Sequence, residues 1–304
     1  GVMTEAGYEA QGFVTMFEKL QQAARLNDNG SFPYLRSHPM TTERISDAQA
    51  RQQLLVVKGP VTTSAMHAMM SARAQVLAKP GVDVLRTMAA QVNSSTLTSS
   101  PKAKQAGVLY GAVMAEMKLR NFAEARQHLA RLQALGGFDL NAQRIVRLLG
   151  AELALAGDDA AHAVALLESK ATVVANNDRA TRIQLAQSRV ATRKPAQGKI
   201  AASDLSVWLN QHPRDATAWL VQASAFELQG DALRAIRAQA EARAMELDYS
   251  AAVDRFKAAQ LLAHQMASEG KLDRAGHMEA SIVDARLREL ESLRREQALE
   301  RGIN

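Results

Sequence analysis

DATAWLVQASAFELQGDALRAIRAQAEARAMEL, residues 215–247, decides the fold. Trp219, Ala223 and Phe226 recur at helical spacing, which places them on one face of a helix. Gly230-Asp231 interrupts the pattern with a turn, and Ala235 opens the packing face of a second helix. Ala223 and Ala235 remove side-chain bulk where the two helices approach, while Trp219 and Phe226 fill the space beside them. Gln222 stands where the pattern expects leucine. If Trp219 is fully buried, its replacement by alanine should cost roughly 3–5 kcal/mol.

Outward from this stretch, helix, short turn and helix recur with a period in the mid-thirties, the signature of a solenoid. In LYGAVMAEMKLRNFAEARQHLARL, residues 109–132, Leu109 and Ala112 precede an Arg120-Asn121 turn, and Phe122, Ala125 and Leu129 follow it. A third pair fits residues 141–170 with its turn at Gly157-Asp158. A fourth has one helix near 178–193 and another from Ala196 to Gln211, with Trp208 packed inward. Residues 62–95, broken at Lys79-Pro80-Gly81, read as a degenerate first pair. Beyond Tyr249 the helices lengthen, and the charged last one, with Glu and Arg at helical pair spacings, suits a cap.

Composition agrees with helices throughout. Aromatic residues are only 4% of the chain and apolar residues 47%, which supplies a core without favouring strands. The expected class is therefore all-α. With no cysteine, thiol nucleophiles, disulfides and thiolate metal sites are excluded. The net charge of +6 arises from 37 basic against 31 acidic residues, which is the balance of a solvated helical surface. No basic stripe interleaved with aromatics points to nucleic acid. No apolar run approaches the roughly 18 residues of a membrane-spanning helix, and GVMTEAGYEA at the start is not a signal peptide.

Motifs of catalysis are absent from the sequence. None of the seven histidines is followed by glutamate, so no His-Glu-x-x-His zinc motif occurs. Gly198-Lys199 has Arg193 where a phosphate-binding loop needs its first glycine, and there is no Gly-x-Ser-x-Gly elbow. His128, His162, His264 and His277 fall within helical patterns as surface or boundary residues. The methionines of MHAMMSAR, residues 66–73, fill a helix-pair core.

The 215–247 stretch resembles the tetratricopeptide repeat, with Pro213 at the family's inter-repeat proline. The first 58 residues resemble a different family. In residues 9–26, Phe13, Met16, Phe17 and Leu20 share a helical face. A turn-rich loop then leads into Ser37-His38-Pro39, and after four residues Arg44-Ile45 opens a second helix, capped by Thr41 or Thr42 and running to about Lys58. This Ser-His-Pro-x4-Arg-Ile pattern resembles the C-terminal end of the catalytic domain of HtpX-like zinc metallopeptidases. With repeats directly downstream, the likeness narrows to the periplasmic, BepA-like branch.

The resemblance implies two domains, a helical remnant of the peptidase domain at 1–58 and a tetratricopeptide array at 59–304, divided at Gly59-Pro60. It implies a periplasmic protein acting in outer-membrane protein assembly and quality control, whose repeats dock protein substrates or assembly components. The family's zinc ligands and catalytic glutamate would lie upstream of Gly1. This chain alone is accordingly expected to hold no cofactor and to hydrolyse nothing, while the intact parent would be a zinc endopeptidase. His38 would lie near the parent's zinc cleft, approaching or gating the metal, and Arg44 would hold the loop through hydrogen bonds. In such arrays the first helix of each pair lines the concave surface. That places Tyr110, Met114, Met117, Arg193, Lys194 and Glu227 as candidate partner contacts. The alternative is a stand-alone adaptor without an enzymatic parent, binding a helix or extended peptide in the same groove.

Overall fold

Asp215 begins the decisive stretch by accepting a hydrogen bond from the Ala218 amide, which caps helix α10 (Ala216–Leu228). Gly230 ends the pair's first helix at φ +76°, and Asp231 immediately caps α11 (Ala232–Met245) through the Arg234 amide. The same grammar builds the rest of the computed structural model, which describes residues 11–24, 45–50, 63–78, 80–168 and 178–302. Among the described residues there is no strand, and the class is all-α.

The chain divides into two compact units, Gly1–Ser64 and Ala65–Asn304. In the first unit, α1 (Gln11–Ala24) buries Val14 and Phe17 while Met16 and Leu20 are exposed. The expected face of Phe13, Met16, Phe17 and Leu20 is therefore split: the buried pair is one turn apart and includes valine, which the aromatic spacing overlooked. The side chain of Phe13 is outside the described residues. So are the His38 loop, Arg44 and the Gly59-Pro60 boundary, whereas residues 45–50 are helical.

The second unit is a solenoid of helix pairs. Its first helices are α2 (Ala65–Leu77), α4 (Lys102–Lys118), α6 (Leu140–Ala156), α8 (Arg179–Ala191), α10 and α12 (Tyr249–Ser268). Their partners are α3 (Val82–Ala90), α5 (Phe122–Ala134), α7 (Ala160–Glu168), α9 (Pro195–Gln211), α11 and α13 (Arg274–Gly302). First helices begin at residues 65, 102, 140, 179, 216 and 249, so the period runs in the high thirties and shortens only at the last step. The second helices α5, α7, α9 and α11 each pack between their own first helix and the next one, whereas α3 packs on α4 and α13 closes the end against α12. First helices also meet in succession from α2 to α10, and α2 reaches past α4 to α6. That crowding makes the first-helix layer the inner side of the curve.

The turns inside the last five pairs share one device. Arg120, Asp158, Arg193, Gly230 and Gly270 all adopt left-handed conformations, with φ between +56° and +76°. Only two are glycine, so the other three hold a conformation that side chains disfavour by about 1–2 kcal/mol. The first helices α6, α8, α10 and α12 begin at Asp139, Asp178, Asp215 and Asp248, each accepting a backbone N–H. Arginines of the preceding first helix then bind two of these caps: Arg144 reaches Asp178 at 3.2 Å, and Arg179 grips Asp215 with two bonds of 2.7 Å. Successive repeats are thus pinned end to end by charge-assisted hydrogen bonds.

Small residues set the closest crossings. A methyl at Gly107 would stand 3.0 Å from the Ala68 carbonyl, where α4 crosses α2. Gly198 does the same for α9 against the Ala225 carbonyl of α10, also at 3.0 Å. Gly198 is therefore a packing residue, which accounts for a Gly-Lys pair without a phosphate loop.

In the decisive pair, Ala223, Ala235 and Phe226 are buried as the spacing requires. Trp219 differs. Its ring is only partly buried, donates to the Pro213 carbonyl at 2.9 Å and lies under the Arg237 guanidinium at 5.5 Å. The loss expected of a fully buried ring does not apply to it. Gln222, at the leucine position, is 2% exposed and donates to the Ala202 carbonyl and to Ser206 Oγ. Its Oε1 is buried without a partner. Gln222→Leu removes that orphan acceptor, and the Ala202 carbonyl keeps its bond from Ser206. Chemical denaturation of this variant should show a stabilisation of about 1 kcal/mol.

Candidate partner-binding groove

Counted back from the left-handed residues Arg120 and Gly230, Tyr110, Met114 and Met117 of α4 occupy the register that Leu220, Ser224 and Glu227 occupy in α10. This register lines the inner side of the first-helix layer. Its surroundings change along the array, and that change locates the open groove.

Around α4 the inner side is closed. Arg73 on α2 crosses over α4 to Glu152 on α6, with Nη1 at 2.7 Å from Oε2. The same Nη1 donates to Tyr110 Oη at 3.2 Å and approaches Met114 Sδ at 3.8 Å. Beneath this clasp Tyr110 and Met114 are each 2% exposed. They are core side chains, contrary to the expectation that they contact a partner. The reason is the close approach of α2, α4 and α6, which leaves no gap for a ligand at this level. Met117 is partly buried against the same core. Burial alone would lower the Arg73 pKa, yet the hydrogen bond and charge of Glu152 outweigh it and push the value up. Burial raises the Tyr110 phenol pKa, and Arg73 opposes that shift.

Around α10 the inner side is open. Leu220 is 42% exposed, Glu227 is exposed and Ser224 is half-buried between them. Gln187 of α8, in the register of Ser224, is exposed too. Unlike the earlier first helices, α10 and α12 do not meet closely, and a polar chain bridges them over α11. Arg255 on α12 donates to Gln239 Oε1 at 2.9 Å, and Gln239 Nε2 donates to Glu227 Oε1 at 2.6 Å. Glu227 is therefore held in place while remaining accessible, a suitable arrangement for a recognition carboxylate.

Arg193 and Lys194 lie at the edge of this region, in the α8–α9 turn. Arg193 is the left-handed residue and Lys194 the position before Pro195; both are exposed. They are rim residues, placed by the turn and not by a helix face. At the far end of α9 the turn is tied down by Asp215, which accepts from Arg179, from the Trp208 indole at 3.0 Å and from Ala218. Burial would raise its pKa, but these donors prevail and hold it below the usual carboxylate value. Arg189, 8% exposed, similarly ties α8 to Glu168 of α7 at 2.8 Å and to Asp204 of α9.

Register alone is the sequence signal for Leu220 and Gln187, as it is for Glu227, and it selects the buried Tyr110 and Met114 equally. Nothing local announces the Arg73–Glu152 pair. Among the described residues, no group of three or more His, Cys, Asp or Glu side chains is placed to hold a metal. No described helix is long and apolar enough to cross a membrane. Compared with protein-family models and with curated proteins, the chain matches none.

Proposed function

We propose that this chain is a tetratricopeptide-type interaction scaffold, the repeat region of a periplasmic BepA-like zinc metallopeptidase in outer-membrane protein assembly and quality control. The carrying observation is the open inner face at α10, where Leu220 offers apolar contact and Glu227 an anchored carboxylate beside a basic rim at Arg193 and Lys194. An extended or helical segment with apolar and charged side chains suits such a surface. The Ser37-His38-Pro39 and Arg44-Ile45 pattern upstream of the array supports the peptidase parentage. In this reading zinc and hydrolysis belong to the parent's catalytic half, with His38 near its cleft, and the repeats dock protein substrates or assembly components.

A stand-alone adaptor is the second reading, favoured by one observation: residues 65–304 form a compact unit of their own. The upstream gene sequence separates the two. A continuous reading frame with His-Glu-x-x-His supports the peptidase, and an initiator immediately before Gly1 rejects it.

The scaffold itself is tested by reversing the rim charges. Arg193→Glu with Lys194→Glu should weaken capture of outer-membrane assembly components in a pull-down by about tenfold, or 1.4 kcal/mol. The melting temperature should move by no more than ~2 °C, because exposed substitutions stay near 0.5 kcal/mol. Undiminished capture by the folded double variant would reject the rim as part of the docking surface.

A further inference from the structure

On the outer side of the array, the third pair leaves a space that its neighbours do not fill. A cleft of about 430 Å³ opens where α5, α6 and α7 come together. Its floor is Gly150 of α6, whose missing side chain leaves Leu129 and Leu166 3.5 Å from where a Cβ would stand. Phe138, Val146 and Leu166 supply apolar walls, while Gln133, Gln143 and His162 bring polar groups to the opening. Pockets of this size accept small organic ligands.

The charge in the cleft is one-sided. Arg147 lines it, and no acidic side chain does. Among the described residues no hydrogen bond or ion pair engages the Arg147 guanidinium. Asp178, the acidic group that acts on it electrostatically, is already bound by Arg144 at 3.2 Å and by the Thr181 hydroxyl at 2.7 Å. This sets Arg147 apart from Arg73, Arg179, Arg189 and Arg286, each of which meets a carboxylate. Burial pushes its pKa down and nearby Arg144 adds to the effect, so the site would gain from an incoming anion. Gln143 is held by its bond to the Phe138 carbonyl at 2.7 Å, which fixes the rim beside the apolar wall.

We propose that this cleft binds a small carboxylate carried on an apolar body, with Arg147 forking onto the carboxylate and the body lying between Phe138, Val146 and Leu166 over Gly150. Guanidinium and carboxylate match in a planar two-bond geometry. A single arginine beside an apolar floor suits one carboxylate better than a phosphate-rich ligand, and the cleft is too small for a folded partner. It lies on the opposite side from the α10 groove and is independent of the scaffold reading.

Titration calorimetry of the full chain with 4-phenylbutyrate tests the assignment. Saturable binding near one equivalent is expected, with Kd below about 1 mM. The primary amide of the same probe should bind at least about tenfold more weakly. Arg147→Gln should abolish binding, and Arg147→Lys should retain part of it, with circular-dichroism melts confirming that both variants fold. Equal binding of acid and amide, wild-type affinity in folded Arg147→Gln, or no saturation by about 10 mM would each overturn the proposal. A third arm uses an acetylated tripeptide ending in a free phenylalanine carboxylate. Binding of that peptide without binding of 4-phenylbutyrate would overturn the small-molecule assignment.

Discussion

Replacing Arg286 by alanine is expected to cost about 3–5 kcal/mol in urea denaturation, among the largest losses available on the surface of α13. Arg286 grips Glu241 of α11 with Nε at 2.9 Å and Nη2 at 2.7 Å from the two carboxylate oxygens, and it also meets Glu289. The Glu241 side chain is only 7% exposed. Removing the arginine leaves that buried carboxylate without its partner in the α11–α13 interface. Consistent with this tight pairing, the hydrogen bond from Arg286 to Glu241 is foremost in pushing the arginine pKa up. Arg286→Met combined with Glu241→Met should therefore recover stability to within about 1 kcal/mol of the parent, because a packed apolar pair commonly equals a buried ion pair. If the double variant is as unstable as the single one, the loss comes from packing of the arginine stem instead.

Phe256→Ala is the second large effect, at about 3–5 kcal/mol. Phe256 is fully buried in α12, within a cluster that joins Leu233 of α11 to Val283, Leu287 and Leu290 of α13. Its ring is the fully buried aromatic of this cluster, with Tyr249 partly buried against it, and alanines make up much of the remaining core. Neighbouring alanines have little side chain with which to collapse into the cavity, which places the cost in the upper part of the range. The partly exposed Trp219 should lose less. A Phe256→Ala loss under about 1 kcal/mol would mean that α11, α12 and α13 do not pack as described.

Both effects bear on why some of this molecule was legible in its sequence. Helix-pair periodicity is local: Trp219, Ala223, Phe226, Gly230 and Ala235 lie within a few turns of one another, and their spacing alone yields α10, the turn and α11. The left-handed turns at Arg120 and Asp158 fell where the spacing put turns, whereas Arg193, read as the end of a helix, is itself the left-handed turn residue after Ala191. What spacing does not reveal is how tightly successive pairs curl. That property separates buried Tyr110 and Met114 from exposed Leu220, although all three stand in the inner register. It arises from the Gly107 crossing and from Arg73 meeting Glu152 across 79 positions. Arg147 was hidden for a related reason. A basic residue in a helix reads as a solvated charge until the fold shows that, among the described residues, no carboxylate bonds to it.

The groove account turns on which side of the array touches a partner. A photo-crosslinking amino acid at Leu220, on the inner face of α10, and another at Val207, on α9, compare an inner with an outer position at similar exposure of 42% and 56%. With envelope extract containing outer-membrane assembly components, the account predicts a discrete adduct from position 220 and none from position 207. An adduct from 207 alone, or equal adducts from both, would contradict it.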